Sequence, residues 1–456
     1  MKIKKILTTF AVFALVFSII TSNISVYAVD YKSELTLDSK SAYMVYMGEN
    51  GDIPVLDLNS SEKNYPASLT KIMTAIVLLE HYSFSELENL TMTIPQEAFD
   101  DFYVDGVYQY PSTAGFLKNE EVDLRDLLYG MMLQSACEAA NCLAYYVGNG
   151  DISSFVSMMN ETAEKIGAKN THFVNPHGLF NENQYTTAYD MYLIARYAYN
   201  IEGFMEVAGT ESFYLKPTNL HSEKRLVVHT NYMMSQYRGG ERYYYPYVQG
   251  IKTGTLDECG RNLVSTATKD GYTYMVVSLG GPQTDADGNT YFSNFSDHKK
   301  LYEWAFDGLE LSKIVNSGSD VMEFPVINSS GKDYVIATAK DDYITLLPVN
   351  IDNERITYEL PEAEKLKAPI TKGDKLGEMK IYVDGDYLTS IDLVASSDVS
   401  LSIIKFVFWT IGNILSSKAF FALLIILVIL IIIYIIIFRK RNKDKLNIKK
   451  KRKQMR

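Results

Sequence analysis

The chain has 456 residues, 47% of them hydrophobic and 22% charged, with a formal net charge of −11; it is too long for one compact core, so two folded parts with accessory segments are expected. Setting aside the lysines at the start and the basic C-terminal end leaves roughly −24 on the remainder, which excludes nucleic acid as its partner. Three cysteines imply no disulfide framework, and six histidines show no ligand-like spacing, so neither a metal site nor a cofactor is expected.

Lys2, Lys4 and Lys5 precede an uncharged run from Ile6 to Ile20 and then Val26-Tyr27-Ala28. A basic start, an apolar middle and a small-residue end read as a secretory signal over 1–28, the run being short for a bilayer span. Ser41 to Leu58 alternates apolar and polar residues around Gly48-Glu49-Asn50-Gly51-Asp52, a hairpin pattern. From Leu69 to Leu79 the chain is apolar on almost every side, so a buried helix is expected, with Pro66 at its first turn.

Lys71 sits inside that helix, three residues after Ser68 and on the same face. An amine held dry against a hydroxyl can, once neutral, act as base for a serine nucleophile, and the free N–H groups of a helix start can receive an oxyanion. Taken alone the spacing is common by chance, and a capping serine with a surface-reaching lysine is the commoner outcome.

Loops with short strands are expected from Glu86 to Lys118, and helices over Asp123–Leu133, onward to Val147, over Ser153–Ile166 and over Thr187–Tyr199. Ser135 lies between the second and third helical runs, where a lone serine is most often a cap. Strands over Tyr247–Thr255, Asn262–Thr268 and Tyr272–Leu279 form a meander, followed by a helix over Asp297–Phe306. Strands at both ends and helices between imply one sheet whose first strands lie beside its last. On the first meander strand, Lys252-Thr253-Gly254 offers a cation for a carboxylate, a hydroxyl to orient it and a glycine for close approach of substrate backbone; the plain alternative is a solvent-facing lysine beside a turn.

Beyond about Ser317, short alternating strands spaced by Gly, Asp and Asn turns suggest a small all-β module over 317–396. An amphipathic juxtamembrane segment is expected over 397–418. The 20 uncharged residues between Lys418 and Arg439 would span about 30 Å as a helix, enough for a membrane. The tail after Phe438 carries eleven Lys and Arg against one acid, Asp444, which places 439–456 in the cytoplasm and the rest outside.

In this order, Ser68-x-x-Lys71, Ser135-x-Cys137 and Lys252-Thr253-Gly254 resemble the motif set of penicillin-recognising serine enzymes. With Asn175-Pro176-His177-Gly178-Leu179, the chain resembles most closely the D-alanyl-D-alanine carboxypeptidases among the low-molecular-weight penicillin-binding proteins, over roughly Ser41–Gly308 and less specifically through the β module. The resemblance implies an α+β, β-lactamase/transpeptidase-like catalytic domain over 29–316 with an antiparallel sheet, then a small all-β domain and a C-terminal transmembrane helix over 419–438. It implies removal of the terminal D-alanine from peptidoglycan stem pentapeptides through an acyl-enzyme, inhibition by β-lactam antibiotics, and contact with membrane lipids through the anchor. Ser68 would be the nucleophile, Lys71 the general base and Ser135 the proton relay. Lys252 and Thr253 would hold the terminal carboxylate, Gly254 and Cys137 would complete substrate binding, and the N–H groups of Ser68 and Thr255 would form the oxyanion hole.

Cys137 stands where the family has asparagine, replacing an amide with a weak donor. It is expected at the edge of the cleft as a free thiol, with Cys142 in the helix packing. A β-lactamase would need a deacylating Glu-x-x-Leu-Asn motif, which is absent between Ser135 and Lys252. A transpeptidase or endopeptidase of the same fold, or a catalytically weak, membrane-tethered β-lactam- or peptidoglycan-binding protein, remain the alternatives.

Overall fold

In the computed structural model, which describes residues 35–49, 51–104 and 106–454, the alternating stretch near the start forms β1 (Ser41–Gly48) and β2 (Gly51–Leu58). The expected signal segment lies outside the described residues. The meander forms β3 (Val248–Leu256), β4 (Gly260–Lys269) and β5 (Tyr272–Gly281). The sheet order is β2-β1-β5-β4-β3, antiparallel throughout, with Val45 opposite Met275. The first strands therefore do lie beside the last.

The period-two alternation of these strands puts apolar side chains on both faces. Tyr43, Val45, Met275 and Val277 face a large core built with the central helices, while Ala42, Met44, Tyr274 and Val276 pack with Phe295, Leu301 and Tyr302. Those last three belong to α6 (Ser293–Gly308), longer than the sequence pattern suggested. The central helices are α1 (Thr70–His81), α2 (Leu124–Leu133), α3 (Cys137–Val147), α4 (Ile152–Ile166) and α5 (Ala188–Tyr199). Asp123, Asp151 and Thr187 cap α2, α4 and α5 by accepting a first-turn N–H, each worth about 1 kcal/mol. Every residue of α1 from Thr70 to Leu79 is buried, so this helix is the centre of the layer.

Between Tyr199 and Tyr247 the structure adds short helices at Phe204–Ala208 and Gln236–Tyr243 and a hairpin of Ser212–Leu215 with Arg225–Val228. Gly209, Pro217 and the Gly239-Gly240 pair break that stretch into pieces too short to show a period.

The chain divides into two compact units, the first comprising residues up to Ser312 with Thr345–Thr357 and Tyr382–Thr389, the second the remainder. Beyond α6, a six-stranded sheet runs in the order Ile356–Glu359, Lys375–Val383, Asp386–Ala395, Tyr334–Ala339, Asp320–Ile327, Leu366–Lys367. The strand at Asp320–Ile327 escaped the sequence pattern because Pro325 interrupts it. At the C-terminus come α7 (Ile403–Ser416) and α8 (Lys418–Gln454). Among the described residues, Lys418–Lys443 is the one helix long and apolar enough to cross a membrane.

The loop Phe173–Leu179 presses on the start of α1. The Pro176 carbonyl accepts from Thr74 Oγ1 at 2.5 Å, and Gly178 has φ +88° with no room for a side chain: a Cβ there would lie 1.9 Å from the Ala67 carbonyl oxygen. Gly178→Ala is expected to lose about 2–4 kcal/mol of stability, from a left-handed backbone and a backbone clash together. Thermal unfolding checks this, and an unchanged melting temperature would contradict the packing described.

Candidate active site

Ser68 lies in a single 3₁₀ turn, Ala67–Leu69, that runs directly into α1. The turn is held from the sheet by buried Asn262 on β4, whose amide donates to the Tyr65 and Pro66 carbonyls at 2.9 and 3.3 Å and accepts from Gly280 N–H at 2.9 Å. One turn along, Lys71 is fully buried, with Nζ 3.1 Å from Ser68 Oγ, 3.5 Å from Cys137 Sγ and hydrogen-bonded to the His177 carbonyl. Burial drives its pKa below the ordinary lysine value, against the opposing pull of Cys137 and Glu138. A neutral amine has two N–H donors and one lone pair. Here the donors have His177 O and Cys137 Sγ to go to, leaving the lone pair for the Ser68 hydroxyl proton.

His177 is itself buried. Its Nδ1 accepts from Leu179 N–H at 3.0 Å, which makes Nε2 the donor to Asp101 Oδ2 at 2.5 Å. Burial lowers its pKa despite Asp101, so the ring stays neutral and its carbonyl is held in place for Lys71.

Ser135 has φ +63° in the turn before α3. Its Oγ accepts from Lys252 Nζ at 3.1 Å, and the same amine donates to the Thr253 carbonyl at 3.1 Å. Lys252 is also fully buried, and burial, with the Lys71 amine nearby, pushes its pKa well below that of a free lysine. Thr253 Oγ1 is 2.6 Å from Thr230 Oγ1. Gly254 has a packing reason beside the one expected. A Cβ there would meet Pro66 O at 3.0 Å, Ala67 Cβ at 3.1 Å and Ser68 N at 3.2 Å, so glycine also lets β3 press against the turn that carries Ser68.

Ser68, Ser135, Thr253, Gly254 and Thr255 line one cleft of about 200 Å³. Cys137 does not. It is 2% exposed, with Sγ against Lys71 and its N–H on the Ser112 carbonyl at 2.8 Å. The expected place at the cleft edge, in contact with substrate, is corrected to one beneath the base: α3 starts at Cys137, which turns its side chain inward as Ser135 faces the cleft. Cys142 is in the helix packing, and the three cysteines are free.

The cleft also contains residues that carry no motif and were not singled out from sequence: Ser112, Thr230, Arg238, Arg261 and Asn294. Arg238 donates to the His229 carbonyl at 2.6 Å and lies 4.2 Å over the Tyr232 ring. Arg261 donates from Nε to the Tyr291 carbonyl at 2.7 Å and lies 4.2 Å over Phe292. With both lysines buried and engaged, these half-buried guanidiniums are the cations that face the cleft, and Arg261 keeps its terminal fork without an acidic partner among the described residues.

The chain is similar to known proteins over most of its length. The D-alanyl-D-alanine carboxypeptidase family, peptidase S11, matches residues 28–283, and the C-terminal domain of penicillin-binding protein 5 matches 309–400. The chain belongs to this carboxypeptidase family. A D-alanyl-D-alanine carboxypeptidase of Haemophilus influenzae is 30% identical over 78% of this chain and 84% of its own length. Penicillin-binding protein 5 of the same organism superposes with a TM-score of 0.57 at 25% identity, covering 81% of this chain and 99% of that one. The Streptomyces K15 DD-transpeptidase superposes with a TM-score of 0.50 at 27% identity, covering 60% and 99%. Variants of that transpeptidase replace a serine and a cysteine two positions further on, the same spacing as Ser135 and Cys137 of this carboxypeptidase-family chain.

Glu138, next to Cys137, is fully buried. Its Oε1 accepts from Ala114 N–H at 2.7 Å and Phe116 N–H at 3.4 Å, while Oε2 has no partner among the described residues. Burial raises its pKa to about 7. The folded chain therefore holds a proton that the unfolded chain releases near pH 4.5, and stability falls as pH rises between those values. Glu138→Gln is expected to flatten the fall in melting temperature between pH 5 and pH 8; an unchanged fall would show that this carboxyl does not titrate in that window. Burial also raises the Cys137 thiol pKa, so alkylation of native protein by iodoacetamide at pH 7.5 is expected to be far slower than after unfolding. Equal rates would contradict its burial.

Proposed function

We propose that the chain removes the terminal D-alanine from peptidoglycan stem pentapeptides, with Ser68 as nucleophile and Lys71 as base. The observation that carries this reading is the dry 3.1 Å contact between Lys71 Nζ and Ser68 Oγ. Lys71 takes the hydroxyl proton as Oγ attacks the carbonyl of the scissile D-Ala–D-Ala bond. The oxyanion develops toward the N–H groups of Ser68 and Thr255, both on the cleft wall. Ser135, bonded to Lys252, passes a proton to the departing amine, and D-alanine leaves. Water then attacks the ester by the reverse path and frees the tetrapeptide. Thr253 and the open fork of Arg261 receive the terminal carboxylate, while Lys252 holds Ser135 and the Thr253 carbonyl in place from behind. β-Lactams enter as covalent mimics of the same bond.

The exported part runs from the signal over 1–28 through the catalytic part to the β module. The span at 419–438 ends in the basic tail, which favours a cytoplasmic C-terminus and a catalytic unit outside. A binding-only role is disfavoured by the intact nucleophile, base and relay geometry.

Purified full chain with a stem pentapeptide should release D-alanine, and mass spectrometry after benzylpenicillin should put the adduct on the peptide containing Ser68. Ser68→Ala should abolish both. Tetrapeptide formation surviving in that variant would overturn the assignment. Arg261→Gln should raise KM for the pentapeptide by about tenfold with little change in kcat, the loss of one charge-assisted carboxylate contact. An unchanged KM would remove Arg261 from carboxylate recognition.

A further inference from the structure

Just before Ser112 the chain makes a small exposed hairpin, Tyr103–Val104 against Val107–Tyr108. Tyr103, Tyr108 and Tyr110 are 61%, 38% and 85% exposed. Their rings meet in sequence, Tyr103 to Tyr108 at 5.2 Å and Tyr108 to Tyr110 at 5.1 Å, and Val107 beside them is exposed as well. A hairpin this short is not stable alone in water; its base is fixed. Phe102 is buried, its carbonyl accepts from Gln109 N–H at 2.9 Å, and Asp101 is held by His177 at 2.5 Å and Asn141 at 2.9 Å. On the other side, Ser112 lines the cleft and binds the Cys137 N–H. The aromatic ridge is thus mounted on the wall that holds the base, and Tyr110 is within about 7 Å of Ser112 along the chain.

We propose that this ridge binds the sugar of the glycan strand that carries the stem peptide, an inference that rests on the function proposed above. Exposed aromatic faces that make no contact with the core mark a binding surface, and a tyrosine offers an apolar face for sugar C–H groups with a hydroxyl at its tip for theirs. The four residues between the scissile bond and the sugar span about 14 Å when extended, so a peptide seated at Ser68 carries its sugar to the rim of the cleft. Charge selects among occupants. From Phe99 to Leu117 there is no lysine or arginine, but there are Asp100, Asp101 and Asp105, which suits a neutral saccharide and opposes an anionic lipid surface.

The test uses the full chain in detergent with two substrates, the free pentapeptide and the same pentapeptide linked to N-acetylglucosaminyl-N-acetylmuramic acid. The linked substrate is expected to have a kcat/KM about tenfold higher, through KM, the size of one or two good aromatic contacts. Tyr108→Ser and Tyr110→Ser should each bring the ratio toward one, and Tyr110→Phe should preserve it, with penicillin acylation reporting that each variant is folded. Equal kcat/KM for the two substrates in the parent chain overturns the proposal. So does a parallel loss on both in the serine variants, which would assign the rings to the peptide or to a protein partner. D-alanine release from neither substrate would instead overturn the underlying function.

Discussion

A lysine with no exposed surface is the constraint on which the rest of the structure depends. Burying an ammonium ion costs several kcal/mol, and losing the proton is the cheaper state unless a carboxylate pairs with it. Among the described residues no carboxylate bonds to Lys71; its hydrogen-bond partners are a hydroxyl, a thiol and a carbonyl. The fold therefore uses burial to lower the proton affinity of an amine next to a serine, and the residues around it keep that amine dry and aimed.

That service is spread across the first unit. The apolar helix α1 supplies the burial. Asn262 ties the turn carrying Ser68 to the sheet, and Gly254 lets β3 close on that turn. The loop with Gly178 presents the His177 carbonyl, with the neutral imidazole fixed by Asp101 and Leu179. Glu138 reaches back to the Ser112 segment, which closes the opposite wall. Cys137 fits the same logic: a thiol is a weaker partner than an amide but fills the space under Lys71 without a second polar group to satisfy.

The pattern of elements was largely legible in the chain. Period-two alternation marked β1, β2 and the meander, and apolar runs marked α1 to α5, with acidic or hydroxyl caps at α2, α4 and α5, because these signals are local. The spacing of Ser68 and Lys71 also was local and survives as a direct contact. What sequence could not supply was which way side chains turn at the junctions. The motif spacing puts Cys137 at the edge of the cleft, yet the left-handed backbone at Ser135 sends the serine outward and the next helix carries the thiol inward. Arg238 and Arg261 come from loops far apart in sequence and converge on one wall without any spacing that announces it. Gly254, on the cleft, also makes room for the neighbouring turn, which no local pattern announces.

Burial holds the Lys71 amine below the proton affinity of an ordinary lysine. Nitrogen-15 NMR of lysine-labelled protein, with the Lys71 signal assigned through Lys71→Arg, measures this directly. The Lys71 resonance is expected to titrate at lower pH than those of the surface lysines. A Lys71 that stays protonated until the surface lysines lose their protons would contradict it.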